Sequence, residues 1–165
     1  MTSAAIRVHS ARDGQRDFEF LLGNWTTKNR RRSLAVDGTS EWIEFESRSV
    51  VRALWGGAAV LEEYRAVAPE GPLDGLSLNL YDPAARQWSQ TWATRSRGSP
   101  DQPTFGGFRE GRGEFHSHEP VQGRRCCLRI VWSDITPASC RWEQSISDDG
   151  GRTWETNWVM EFTRV

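Results

Sequence analysis

The chain has 165 residues, a formal net charge of -1 and nine tryptophans against two tyrosines and two methionines. That length holds one domain with its own core and leaves little room for a second. The near-neutral charge gives no broad basic field for nucleic acid or an anionic membrane, and no apolar run approaches the roughly 20 residues that cross a bilayer as a helix.

Residues 1–15 are polar and small, without the apolar stretch of a signal peptide. They read as a flexible lead-in to one domain over residues 16–165, and the protein reads as cytoplasmic. Three cysteines, Cys126, Cys127 and Cys140, make no disulfide framework. Cys126 and Cys127 are strand neighbours, so their side chains point to opposite faces. The basic run Lys28, Arg30, Arg31, Arg32 reads as a solvated strand end, with an anion contact as the alternative.

Along the chain, residues 17–22 (DFEFLL) predict one helical turn with Asp17 as its cap. Nearly everything after it alternates with period two between Gly, Pro and Asp punctuation, which is the mark of strands. Residues 25–33 read as the first strand, turned by Val36-Asp37-Gly38-Thr39. Residues 41–54 form a long second strand, with Trp42, Glu44, Glu46 and Arg48 on one face and Ile43, Phe45, Ser47 and Ser49 on the other. Strands follow at 59–67, 76–81 and 87–95, the last two joined by the turn Asp82-Pro83-Ala84-Ala85. A Gly/Ser/Pro loop over 97–103 precedes a sixth strand at 105–118, or a hairpin bent at Gly111-Arg112-Gly113. Residues 125–133 carry Cys126, Leu128, Ile130 and Trp132 on a buried-looking face, and 141–147 with 153–163 close the chain as a hairpin. About nine short strands with short loops predict an all-β fold, an antiparallel up-and-down barrel of about 8–10 strands with a short N-terminal helical turn. Such a barrel has space inside for side chains or one small ligand.

Three motifs stand out: Gly23-Asn24-Trp25 opening the first strand, Tyr81-Asp82-Pro83 followed by Trp88, and Ser147-Asp148-Asp149-Gly150-Gly151-Arg152-Thr153-Trp154. The third matches S-x-D-x-G-x-T-W, the Asp box of sialidase propellers. Propellers repeat their motifs once per blade. A single copy reads as a structural hairpin turn, in which Asp binds backbone N–H groups and Trp packs beneath. With Phe18-Glu19-Phe20-Leu21-Leu22 ahead of the first motif, residues 17–164 resemble a bacterial family of uncharacterised calycin-like (lipocalin-like) proteins. The resemblance implies a closed barrel whose G-x-W tryptophan, here Trp25, plugs one end, with Arg164 across it as a cation–π partner. The best-known lipocalins are secreted and disulfide-bonded. Neither sign is present, so an extracellular carrier role does not follow.

Chemistry-bearing residues are few. His116 and His118 share one strand face and could supply two metal ligands. The remaining histidine, His9, lies in the lead-in, so neither a metal nor a cofactor is expected. Haem would need one of the pair as an inward axial ligand. Glu62 and Glu63 point to opposite faces, and a carboxyl facing an aromatic cavity would have a raised pKa suited to general acid–base work. There is no G-x-S-x-G, no nucleotide-binding Gly loop and no Ser/His/Asp arrangement.

The reading is a barrel that binds a small apolar or aromatic molecule among its tryptophans, with Tyr64, Asn79, Trp92, Trp132, Trp142 and Trp158 as lining and Arg109, His116 and Glu143 as polar anchors. The alternative is an enzyme of secondary metabolism, a cyclase or isomerase, using Glu63, His116 or Glu143 as acid or base. A barrel filled by its own tryptophans is the third reading. Pairing into a homodimer stays open.

Overall fold

A computed structural model describes residues 13–32, 41–121 and 123–165. The lead-in up to residue 12 and the Val36–Thr39 turn lie outside the described residues. A 3-10 turn, Asp17–Leu21, is followed by strands β1 (Gly23–Arg32), β2 (Trp42–Leu54), β3 (Ala59–Ala68), β4 (Gly71–Asp82) and β5 (Gln87–Thr94). Then come β6 (Thr104–Arg109), β7 (Arg112–Val121), β8 (Arg124–Ser133), β9 (Ser139–Ser147) and β10 (Glu155–Arg164). Each strand pairs antiparallel with its chain neighbours, and β1 pairs with β10 to close the barrel. Closure removes the sheet edges that would otherwise expose unpaired backbone.

The expected meander is therefore present, with ten strands among the described residues. The stretch over 105–118, read as one strand or a bent hairpin, is the hairpin β6–β7, turning at Glu110 and Gly111, with Arg109 paired to Arg112. Strand β4 begins at Gly71, ahead of the expected start, because Pro72 and Gly75 carry turn-like chemistry yet pair with Val67 and Tyr64. Asp17 is not the helical cap. Arg16 occupies that position without a side-chain cap bond, and Asp17 N–H donates to Gly14 O at 3.1 Å.

Burial follows the pleat. In β2, Phe45, Ser47, Ser49 and Val51 are buried while Glu44, Glu46, Arg48 and Val50 are exposed. Odd-numbered residues of β1 face inward in the same way, from Trp25 through Thr27 to Asn29. Most ladders pair seven to ten residues. The β5–β6 ladder pairs only Trp88–Gly106, Ser89–Phe105 and Gln90–Thr104. Above it the loop folds back, with an Ala93–Pro100 bridge and Asp101 N–H donating to Trp92 O at 2.7 Å.

One end of the barrel is sealed. Phe18 and Leu21 of the 3-10 turn are fully buried, and the Phe18 ring lies 4.9 Å from Trp88 and 4.8 Å from Phe108, nearly perpendicular to both. Trp25 Nε1 donates to Leu21 O at 2.7 Å. The Arg164 guanidinium sits 4.1 Å over the Trp25 ring, as the calycin-like resemblance implies. It also donates to Leu22 O at 2.5 Å, Phe20 O at 2.7 Å and Pro137 O at 2.6 Å. Gly23 of the G-x-W motif is obligatory here: its φ is +119°, and a Cβ would meet Arg164 Nη1 at 2.7 Å.

The opposite end carries the Asp-box hairpin. Asp149 accepts from the N–H groups of Arg152 and Thr153 and from the hydroxyls of Ser147 and Thr153, at 2.7–3.1 Å. Trp154 Nε1 donates to Gly151 O at 3.1 Å. The motif acts as the structural turn expected of a single copy. Those donors hold the Asp149 carboxyl well below the ordinary aspartate range, the Thr153 N–H foremost.

Candidate functional site

Above the sealed end, the inward faces of β3, β4, β5, β8, β9 and β10 enclose a cavity of about 350 Å³, within the span of small-molecule sites, about 300–1,000 Å³. Tyr64, Trp92, Trp132, Trp142 and Trp158 line it, with Leu128, Ile130 and Met160 between them. The rings meet edge to face: Tyr64–Trp92 at 5.5 Å and 79°, Trp92–Trp158 at 6.4 Å and 88°, Trp142–Trp158 at 5.6 Å and 82°. That arrangement sets ring edges against ring faces, as the aromatic quadrupole favours. Gly75 makes the Trp92 position possible, because a Cβ there would fall 1.9 Å from the indole.

Two buried amides fix the polar geometry. Asn29 donates to Ser47 Oγ at 2.9 Å, and its Oδ1 accepts from Tyr64 OH at 3.0 Å and Trp158 Nε1 at 3.1 Å. It therefore locks two lining rings at once. Asn79 donates to Val60 O at 3.4 Å, and its Oδ1 accepts from Gln90 Nε2 at 2.9 Å. This hydrogen-bond chain orients Gln90 so that its Oε1 remains an acceptor, and that atom is buried without a hydrogen-bond partner among the described residues.

Glu62 reaches the cavity from β3 and is 5% exposed. Burial raises its pKa, and the nearby Ser49 hydroxyl opposes this only in part. Neither Ser49 Oγ nor Glu62 Oε1 makes a hydrogen bond of normal geometry among the described residues. Burial also pushes Tyr64 and Cys140 up to about 12, with the Glu62 charge adding to both. At the rim, Arg97 pairs with Asp101 at 2.6 Å. Glu119 is raised by burial first and by Asp101 second.

Of the residues expected to line the cavity, Tyr64, Trp92, Trp132, Trp142 and Trp158 are brought together in it. Asn79 lies one step behind, positioning Gln90. The four expected polar groups are elsewhere. Glu63 faces outward from β3 and pairs with Arg52. Glu143 lies on the outer face of β9, 3.1 Å from Arg141. His116 is exposed on β7, 2.9 Å from Glu114 and edge-on to Trp154. Arg109 is exposed at the β6–β7 turn on the sealed end. His118 shares the outer face with His116, against Cys127 at 3.5 Å, so neither imidazole points inward as a haem ligand would. The physical reason is strand phase. Glu63 and His116 flank Tyr64 and Phe115, whose burial assigns the inner face to the other parity. Glu62, Gln90 and Asn29 were missed. For Glu62 the signal existed, since it shares its phase with Tyr64.

No protein-family model matches the chain, and no characterised protein sequence matches it. Solved structures similar to it include a redesigned β barrel, mFAP1, bound to DFHBI, at 11% identity over 90% of this chain and 99% of that one, with a TM-score of 0.48. A second redesigned barrel, mFAP0, bound to DFHBI, shares 10% identity over 88% and 99%, with a TM-score of 0.48. A de novo designed fluorescence-activating β barrel shares 10% over 91% and 98%, with a TM-score of 0.49. The antiparallel barrel of this chain rests on its own strand pairing.

Proposed function

We propose that the protein is a calycin-like binding protein that holds one small, largely apolar or aromatic molecule inside the barrel. The observation that carries this is the cavity itself, about 350 Å³ walled by four tryptophans and Tyr64. Wide apolar walls with a few fixed polar groups are the physical make-up of a ligand site. Asn29 and the Asn79–Gln90 pair hold those walls in place before any ligand arrives, which lowers the ordering cost of binding. Titrating a panel of aromatic and apolar compounds against intrinsic tryptophan fluorescence tests the reading. A saturable change for at least one chemical class is expected, and unchanged emission across the panel would refute it.

A second reading, an isomerase or cyclase, draws support from Glu62, a buried carboxyl with a raised pKa beside the bound molecule. Such a group can carry a proton to and from a positioned substrate. Glu62 replaces Glu63, His116 and Glu143 in that role. Turnover of a bound compound that survives Glu62→Gln unchanged would rule it out.

A further inference from the structure

We propose that the cavity takes a primary amine carried on an apolar or aromatic body, with Glu62 and Gln90 recognising the ammonium group. This rests on the reading of the cavity as a ligand site and names its ligand class.

The argument starts from unpaired atoms. A buried polar atom without a partner loses the hydrogen bond that water would have given it. Glu62 and Gln90 are 5% and 7% exposed, and each presents on the lining an oxygen unpartnered among the described residues. The Gln90 oxygen is an acceptor by construction, since Val60 O orients Asn79 and Asn79 orients Gln90. An ionised Glu62 offers acceptors only. An ammonium group supplies three donors and no acceptor, which matches two unpartnered acceptor oxygens on the lining of one cavity. Trp132 Nε1 is an unpartnered donor on the same lining among the described residues, and a carboxylate ligand could accept from it, but it would set a second acceptor group and a like charge against Glu62 and Gln90.

Charge points the same way. The cations near the cavity are already paired, Arg97 with Asp101 and Arg31 with Glu70. Glu62 makes no ion pair among the described residues. The walls add indole faces, which attract a cation through the ring quadrupole. Without ligand, burial favours the protonated Glu62. When an ammonium binds, the Glu62 O–H bond breaks, its proton passes to solvent and the carboxylate pairs with the amine. The titratable groups facing Glu62 are Tyr64 on its own strand and Cys140 on β9, both neutral at physiological pH. Asp101, Glu119 and Arg97 stand at the rim.

The test compares phenethylamine, phenethyl alcohol and phenylacetate, matched in shape, by tryptophan fluorescence and by calorimetry in two buffers of different ionisation enthalpy. The amine is expected to bind about tenfold or more tightly than the alcohol, to release a proton, and to lose both features in Glu62→Gln. Gln90→Leu, which leaves Glu62 in place, should lower the preference without abolishing proton release. Equal or weaker binding of the amine, or a preference that survives Glu62→Gln, overturns the amine assignment while leaving the cavity a ligand site. No binding of any of the three, or of the wider panel, sinks the ligand reading itself.

Discussion

Asp149 illustrates how one side chain organises a turn. Its carboxylate collects bonds from two backbone N–H groups and two hydroxyls, all of which favour the charged form. Its folded-state pKa is depressed, so the stabilisation is present above the ordinary aspartate pKa of about 3.9 and is lost as pH falls below it. Asp149→Asn should therefore lower the urea midpoint at pH 7, and the gap from the parent protein should narrow as pH falls toward 3. A gap independent of pH would show that charge plays no part in the turn. Residue identity also decided what was legible at the site. The aromatic lining could be read because Trp and Tyr recur with the parity of the inner face. The acidic residue could be read only through its phase with Tyr64, because 60/62/64 and 61/63/65 each combine an apolar residue with a carboxylate. Only the packing of Tyr64 breaks that tie.

At the level of elements, the sealed end depends on three separate segments held by one guanidinium. Arg164 of β10 binds carbonyls of the 3-10 turn, of the residue that links it to β1, and of the loop before β9, while stacking on Trp25. Arg164→Ala strands those carbonyls and should cost about 2–4 kcal/mol in urea unfolding. Arg164→Lys keeps the charge without the fork and should recover only part of it. A loss below about 0.5 kcal/mol for the alanine variant would mean that water replaces the guanidinium. Strand faces in β2 and β8 were legible from alternation alone, since each has one face clearly apolar or small. The start of β4 was not, because Pro72 and Gly75 resemble turn residues until the pairing with β3 is known. The β6–β7 hairpin was legible as one of two options, because Gly111 and Gly113 mark a bend, but a turn of only two residues at Glu110 and Gly111 left its exact position open.

For the whole molecule, the polar interior opposes stability. Glu62 is favoured in its protonated form when folded, so its folded pKa lies above its unfolded value. The sign is opposite to that of Asp149: stability is greatest below the unfolded pKa of about 4.3 and falls as pH rises through the folded one. Glu62→Gln should be more stable than the parent at pH 7–8, and the two should converge near pH 4. A variant less stable at pH 8 would mean that the carboxylate is solvated in the folded protein. The barrel also has a preferred place to come apart. Most ladders join seven to ten residue pairs, and that between β5 and β6 joins three. Opening free energy scales with the contacts that must break together. Amide hydrogens of residues 104–109 should thus exchange with solvent well before those of β1 and β10, and uniform protection around the ring would contradict this. Gln90 is paired within that short ladder and Trp92 sits directly beyond it, so the fluctuation that exposes the backbone would also loosen two walls of the cavity, and a guest would gain a sideways exit that the static ring does not display.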